Sequence, residues 1–128
     1  MKNNGPIENF SSDLFSIDEI HKIAILDLRI LNLDRNSENI LVKTKIINGK
    51  KQYKLIPIDH GLSISDNLSI NSYDLCWLSF HQAEEPFSKK SLDYISSINI
   101  ISDIDKLKKN FMFRPICLRN VRISSTLL

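Results

Sequence analysis

Apolar and polar positions alternate along the chain in blocks that predict its elements. Ile20, Ile23, Ala24, Ile25, Leu26, Leu28 and Ile30 lie at helical spacing on more than one face, which predicts a helix over 17–30 with protein on several sides. Ser16-Ile17-Asp18-Glu19 in front of it reads as a capping box, Ser16 taking the Glu19 amide and the Glu19 side chain reaching back, with Phe15 and Ile20 as the staple pair. Asp27 and Arg29 interrupt the apolar face and read as a structural pair, since a buried charge needs a partner. The polar run 32–38 favours local side-chain-to-backbone bonds over a helical ladder and predicts a loop. Two apolar runs, 40–47 and 53–58, flank Asn48-Gly49 and predict a hairpin, with Pro57 at an edge or a bulge.

Beyond the hairpin the pattern weakens. Residues 62–80 read as an irregular loop leading into a short helix over 73–78. Ser88 caps a helix over 89–97, with Phe87 and Leu92 as its staple. Ser102-Asp103 opens a second helix ending near Phe111, its acidic first turn and later Lys106, Lys108 and Lys109 matching the helix dipole. Pro115 stands at the first position of a third, running towards Leu127. The opening residues 1–13 are polar, broken by Gly5-Pro6, and read as a leader to a domain over 14–128.

Three polar side chains sit where this pattern would place apolar ones. Asp34 and Asn39 stand five apart in the loop after the first helix. Asp59 closes the second strand and precedes His60-Gly61. Antiparallel pairing brings Asn39 and Asp59 to one end of the ribbon, so two metal-capable oxygens meet there. Phosphoryl transfer from ATP asks for this kind of chemistry: magnesium held against phosphates, and a carboxylate beside the attacking hydroxyl. The spacing is that of a kinase catalytic loop and its metal motif, with loop placement, strand, hairpin and an apolar-Asp-x-Gly return all coinciding.

Composition narrows the classes further. The 128 residues carry 17 basic and 15 acidic side chains, a formal charge of +2, so no concentrated basic face argues for nucleic acid. Cys76 and Cys117 lack metal-site spacing and indicate a reducing compartment. The start has no apolar signal-peptide core and no run approaches the ~20 apolar residues of a membrane span. A soluble cytoplasmic protein is expected.

The run H-K-I-A-I-L-D-L-R-I-L-N-L-D-R-N-S-E-N-I-L-V, followed by L-I-P-I-D-H-G-L, resembles the catalytic segment of the phosphatidylinositol 3-/4-kinase superfamily, and is most similar to its gamma-type phosphatidylinositol 4-kinases. Their loop typically reads N-T-D-R-H-x-x-N and their metal motif P-I-D-H-G. Leu75-Cys76-Trp77-Leu78, Gln82, Glu85-Pro86-Phe87-Ser88 and Leu118-Arg119 resemble the subgroup's later helices. The resemblance implies the mainly helical α+β C-terminal lobe of a protein-kinase-like fold. It implies that Asp34 is the catalytic-loop aspartate, that Asn39 and Asp59 hold Mg2+, and that Leu41 and Ile58, with Asp59, line the ATP site. Arg35 matches the motif's arginine, in a structural or a phosphate-facing role, and Gly61 opens the loop that shapes substrate choice. His60 reads as a packing or backbone-anchoring side chain. ATP and an inositol lipid are the implied partners, with a protein hydroxyl as the alternative acceptor.

Two departures qualify that expectation. Asn36 stands where the motif has His, and an amide carries neither charge nor proton, so turnover falls by ~10²–10⁴ if that His acts in acid–base chemistry. The three glycines, Gly5, Gly49 and Gly61, form no phosphate-cradling loop, and no strand lysine is evident, so the N-terminal lobe is expected to be missing. A pseudokinase or interaction module, or a fragment without function, stands beside the enzyme reading. The lysines at 50, 51, 54, 89, 90, 106, 108 and 109 read as solvated faces, the alternative being peripheral contact with an anionic leaflet.

Overall fold

Helix α1 (Ile17–Ile30) occupies its predicted range in a computed structural model that describes residues 3–68 and 73–128. Ser16 caps it, accepting from the Glu19 amide at 3.4 Å, and Phe15 and Ile20 bury in one cluster. The other arm of the capping box is redirected. The Glu19 carboxylate accepts from the Leu55 amide at 2.7 Å, from Lys22 Nζ at 2.5 Å and from Lys54 Nζ at 3.0 Å. It satisfies a strand-edge amide that has no other route to a partner, whereas a helix-end amide can turn to water.

After α1 come a two-residue strand β1 (Asp34–Arg35), a turn of 3-10 helix (Ser37–Asn39), and the hairpin of β2 (Ile40–Ile47) and β3 (Lys50–Pro57). The register pairs Ile40 with Pro57 and Ile47 with Lys50. Asn48 and Gly49 both take positive φ, 51° and 74°, the two-residue turn whose twist matches the strands. Ile40, Val42 and Leu55 face the core. The opposite edge of β2 is covered by the polar opening segment: Val42 accepts from the Asn4 amide at 2.8 Å and donates to Gly5 at 2.9 Å, while Ile7 is buried. These residues are thus strapped to the hairpin.

Strand β4 (Asp74–Leu75) pairs in parallel with β1, Asp34 opposite Asp74 and Arg35 opposite Leu75. Neither strand is foreseen by the sequence pattern, because two residues carry no periodicity. The short helix expected over 73–78 therefore starts as a strand and continues as 3-10 turns at Cys76–Ser79 and His81–Glu84. Part of the predicted loop and the start of this helix's approach, residues 69–72, lie outside the described residues.

Helix α2 (Lys89–Ser97) is capped by Ser88 as expected, but Phe87 packs edge-on against His21, centroids 4.7 Å apart, and Leu92 is half exposed. Helix α3 (Ile100–Asn110) begins earlier than predicted because Asn99 accepts from the Ser102 amide at 2.9 Å. Helix α4 (Pro115–Ser125) carries Pro115 in its first turn. The fold is α+β and about half helical. Among the described residues no helix is long and apolar enough to cross a membrane.

Two clusters flank α1. Its first turns pack with the hairpin, Ile7, Phe15 and Trp77. Its last turn packs through Leu31 with Ile104, Leu118 and Val121 of α3 and α4. The carbonyls at the C-terminus of α1, orphaned by the end of the helical ladder, all find partners. Leu31 and Asn32 amides close on Asp27, Ser124 and Ser125 hydroxyls donate to Leu28 and Arg29 at 2.5 and 3.1 Å, and the Ile64 amide donates to Ile30 at 2.8 Å.

The charges within α1 pair with more distant groups than the sequence suggests. Arg29 bonds Asp103 and Tyr94. Asp27 meets Arg35, both side chains at most 1% exposed, with Nη2 and Nε at 2.8 and 3.0 Å from Oδ1. Trp77 Nε1 donates to Asp27 Oδ2 at 3.0 Å and Asn32 Nδ2 to Oδ1 at 3.2 Å. The expected Asp27–Arg29 pair is thereby replaced by two longer-range pairs, because burial selects the partner that also satisfies the loop.

Two stability predictions arise from these contacts. Asp27→Ala leaves the Arg35 guanidinium buried without its counter-charge and is expected to destabilise the chain by about 3–5 kcal/mol in urea unfolding. Burial alone would raise the Glu19 carboxyl, but the bonds from Lys22, the Leu55 amide and Lys54 outweigh it and hold it below 4.5. That stabilisation is complete above pH 4.5 and is lost as pH falls through the lowered value. Glu19→Gln is expected to cost about 1–3 kcal/mol at neutral pH, with the gap to wild type closing as urea titrations are taken below pH 4.5.

Candidate functional site

The loop after α1 is shaped by asparagines. Asn32 Oδ1 accepts from the Asp34 amide at 3.2 Å. Asn36 Oδ1 accepts from the Glu38 and Asn39 amides at 3.0 and 3.2 Å, capping the turn that delivers Asn39. Short polar side chains compete well for backbone amides at such positions. The same Asn36 turns its amide towards Asp34, Nδ2 to Oδ1 at 3.4 Å.

Asn39 Nδ2 donates to the Asp34 carbonyl at 3.3 Å, so the amide is oriented with its oxygen as the remaining acceptor. The Ile58 amide donates to Asn39 O at 2.9 Å, which sets Asp59 one residue beyond Asn39 at the end of the ribbon. Asp34, Asn39 and Asp59 therefore share one rim. Asp59 has φ 52°, a left-handed conformation that costs a non-glycine residue of order 1 kcal/mol and that collects at functional sites. In an unbroken strand its side chain would follow Leu55 and Pro57 onto the core side; the kink leaves it exposed, with Oδ1 accepting from the Gly61 amide at 3.1 Å.

Arg35 lies beneath this rim, and its burial excludes contact with phosphate from solvent; of its two expected roles, the structural one is what the geometry allows. Nη1 donates to the Asn39 and Ile58 carbonyls at 3.2 and 2.5 Å, and Nη2 to His60 Nδ1 at 3.0 Å. A guanidinium can only donate, so His60 Nδ1 is an acceptor there and the ring proton sits on Nε2. His60 is exposed and its ring bonds the Arg35 side chain, rather than packing in the core or tying a backbone group as its place in the motif suggested. Asp27, itself bonded by Trp77 Nε1, holds Arg35 from the other side; the sequence pairs it with Arg29 instead, because eight positions separate Asp27 from Arg35 and no local pattern links them.

Leu41 lies opposite Ile56, on the hairpin face away from Ile40 and Val42, and Ile58 is 37% exposed at its end. These residues form an apolar surface leading to Asn39. On the other side of Asp34 a cleft of about 360 Å³ is lined by Leu33, Asp34, Gly61, Leu62 and Ser63. Its loop is held by Asn120 Nδ2 on Ser65 O at 3.3 Å and by an Arg114–Asp66 ion pair.

Magnesium suits the donor set. Asn39 and Asp59 offer one amide oxygen and one carboxylate, hard ligands of the kind that bind this ion with few protein groups and leave positions for phosphate and water. Among the described residues no group of three or more His, Cys, Asp or Glu side chains is arranged to hold a metal. Burial first, and the nearby Asp74 and Asp27 charges second, push the Cys76 thiol up to about 11, which disfavours its thiolate.

The family model for phosphatidylinositol 3- and 4-kinase matches residues 1–128. Phosphatidylinositol 4-kinase gamma 4 of Oryza sativa subsp. japonica is 40% identical over 127 residues, covering 98% of this chain and 22% of that protein. Phosphatidylinositol 4-kinase gamma 3 and gamma 2 of Arabidopsis thaliana are 37% and 40% identical over 129 residues, each covering all of this chain and 22% of the relative. The chain spans about a fifth of the length of the curated relatives it matches. It belongs to the phosphatidylinositol 3- and 4-kinase family.

Proposed function

We propose that this chain forms the metal-holding and acceptor-side part of an ATP- and magnesium-dependent phosphotransferase site that acts on an inositol lipid hydroxyl, corresponding to the C-terminal lobe of a protein-kinase-like fold. The observation that carries this reading is the shared rim of Asp34, Asn39 and Asp59, with Asn39 tied to Asp34 through Nδ2 and to Ile58 through its carbonyl. The names of the gamma-type relatives, phosphatidylinositol 4-kinases, favour a lipid acceptor.

In this reading Asp34 faces the acceptor in the 360 Å³ cleft, orients its hydroxyl and accepts its proton. Asn39 and Asp59 hold magnesium, which when bound neutralises charge on the phosphate oxygens. Leu41 and Ile58 supply the apolar floor under the adenine. Arg35 is a positioning residue that sets the two strand ends and the His60 tautomer. The site would then act mainly by positioning and electrostatics, as phosphoryl transfer requires.

A second reading, a pseudokinase that binds without turning over, is favoured by one contact. Asn36, in the place of the motif's His, is already committed to capping the 37–39 turn and to Asp34 Oδ1. It orients the aspartate but moves no proton.

Asp59→Ala in the intact protein is expected to abolish ATP-dependent phosphorylation of phosphatidylinositol in vesicles; turnover near wild type would reject the metal assignment. Asn36→His is expected to raise the rate by up to ~10²-fold if acid–base function is what limits it, and an unchanged rate would show that the limit lies elsewhere.

A further inference from the structure

We infer that the trough between α3 and α4 is a docking groove for an acidic amphipathic helix of a partner protein, a role independent of the phosphotransferase reading.

The trough is apolar at its base and along its walls. It holds about 660 Å³ and reaches down to Ile104 and Leu118, which are 8% and 6% exposed. Phe111, Met112 and Phe113 of the α3–α4 turn also line it. Phe113 packs on the cluster beneath, Phe111 leans on Phe113 with centroids 5.7 Å apart, and Phe111 and Met112 stay 58% and 104% exposed. Ile104 and Phe111 line a second apolar hollow as well, of about 280 Å³, with Ile100, Leu107 and Val121. Two hollows that share side chains give seats for two apolar anchors, the way a helix laid in a groove is held through its i, i+3, i+4 and i+7 positions. The unbranched Met112 can adapt its shape to such an occupant.

Charge complementarity names the sign of that occupant. Lys108 lines the trough from α3, and Arg119 and Arg122 line it from α4, three apart and therefore on one face. All are exposed, and their side chains have no ion pair or hydrogen bond among the described residues. Among the described residues no Asp or Glu lines the trough. The acids nearby are engaged elsewhere: Asp103 by Arg29 and Asp66 by Arg114, while Asp105 lies in a separate depression beside Ile101 and Lys109. Cations from both helices over an apolar base call for a partner with acids on both flanks of an apolar stripe. The two helices are 11 residues each, about 16 Å long, which gives room for about three turns of a partner helix.

Other occupants match one feature and leave the other. A bilayer is flat and would leave Ile104 and Leu118 unfilled at the base of a concavity. A nucleic acid would place phosphates on the arginines and leave the apolar base without a partner. An added strand needs a sheet edge, which two helices do not offer, whereas the side-chain ridge of a third helix fills a groove of this kind. The groove of about 500 Å³ between α1, β3 and α2 does not share the charge match, since Asp18 and Glu19 line it and its Lys22 and Lys54 are bound to Glu19.

The test is fluorescence anisotropy of a labelled synthetic peptide of about 18 residues, long enough to hold a helix in water, with leucines at i, i+3, i+4 and i+7 and glutamates on both flanks, titrated with the full chain. Saturable binding is expected, and the same composition in scrambled order should bind about tenfold or more weaker. The double change Arg119→Glu/Arg122→Glu should weaken the glutamate peptide by about tenfold or more and strengthen a version with lysines in place of the glutamates. Met112→Asp should weaken the glutamate peptide, Ile46→Asp at the hairpin tip should bind it as wild type does, and thermal melting by circular dichroism should show all variants folded. The inference is overturned if the glutamate peptide does not bind, if the scrambled peptide binds equally, or if charge reversal leaves the preference unchanged. Displacement of the peptide by phosphatidylserine vesicles would make a bilayer the occupant, and a dimer of the chain abolished by the same arginine changes would make it a second copy; either result also overturns it. Asp59→Ala should bind the peptide normally, so failure of docking and failure of the phosphotransferase reading register separately.

Discussion

The Asp27–Arg35 pair ties the interior of α1 to the loop on which the candidate site is built. A single guanidinium reaches the helix carboxylate, the Asn39 and Ile58 carbonyls at the adjoining ends of β2 and β3, and the His60 ring. In a nearly water-free setting those bonds are strong and their loss is costly, because each group left behind has no solvent to turn to. Trp77 and Asn32 complete the carboxylate's shell. The rim above can be open and polar because the layer beneath it is closed and fully bonded.

A second dependence runs through the other end of α1. Its final carbonyls are taken by Ser124 and Ser125 of α4 and by the Ile64 amide of the cleft loop. Ile64 itself has φ 57°, a conformation a β-branched residue keeps only when its surroundings over-determine it. One helix end therefore sets both the loop of the cleft beside Asp34 and the helix behind it.

Where sequence reading and structure part, the reason is range. Helix α1, the Asn48-Gly49 hairpin, the Ser88 cap and Pro115 in the first turn of α4 were legible because capping, turn chemistry and periodicity are local. Asn99 starts α3 three residues before the predicted Ser102-Asp103 opening because its side chain reaches the Ser102 amide. The reach of Glu19 to Leu55 and the strap of Asn4 and Gly5 on β2 were not legible, since both join segments more than 30 residues apart.

By itself the sequence determined the chemistry on offer: an aspartate and an asparagine five apart, an Asp-x-Gly return, and a hairpin whose turn brings them to one end. Those follow from backbone preferences and fixed spacing, which act over a few residues. The tertiary structure alone decided which charges are enclosed and which reach solvent. Arg35 and Asp27 are enclosed with each other, Asp34 and Asp59 are left at the rim, and Met112 and Phe111 are left outside the core. Burial is a property of how distant segments pack, and no spacing along the chain encodes it.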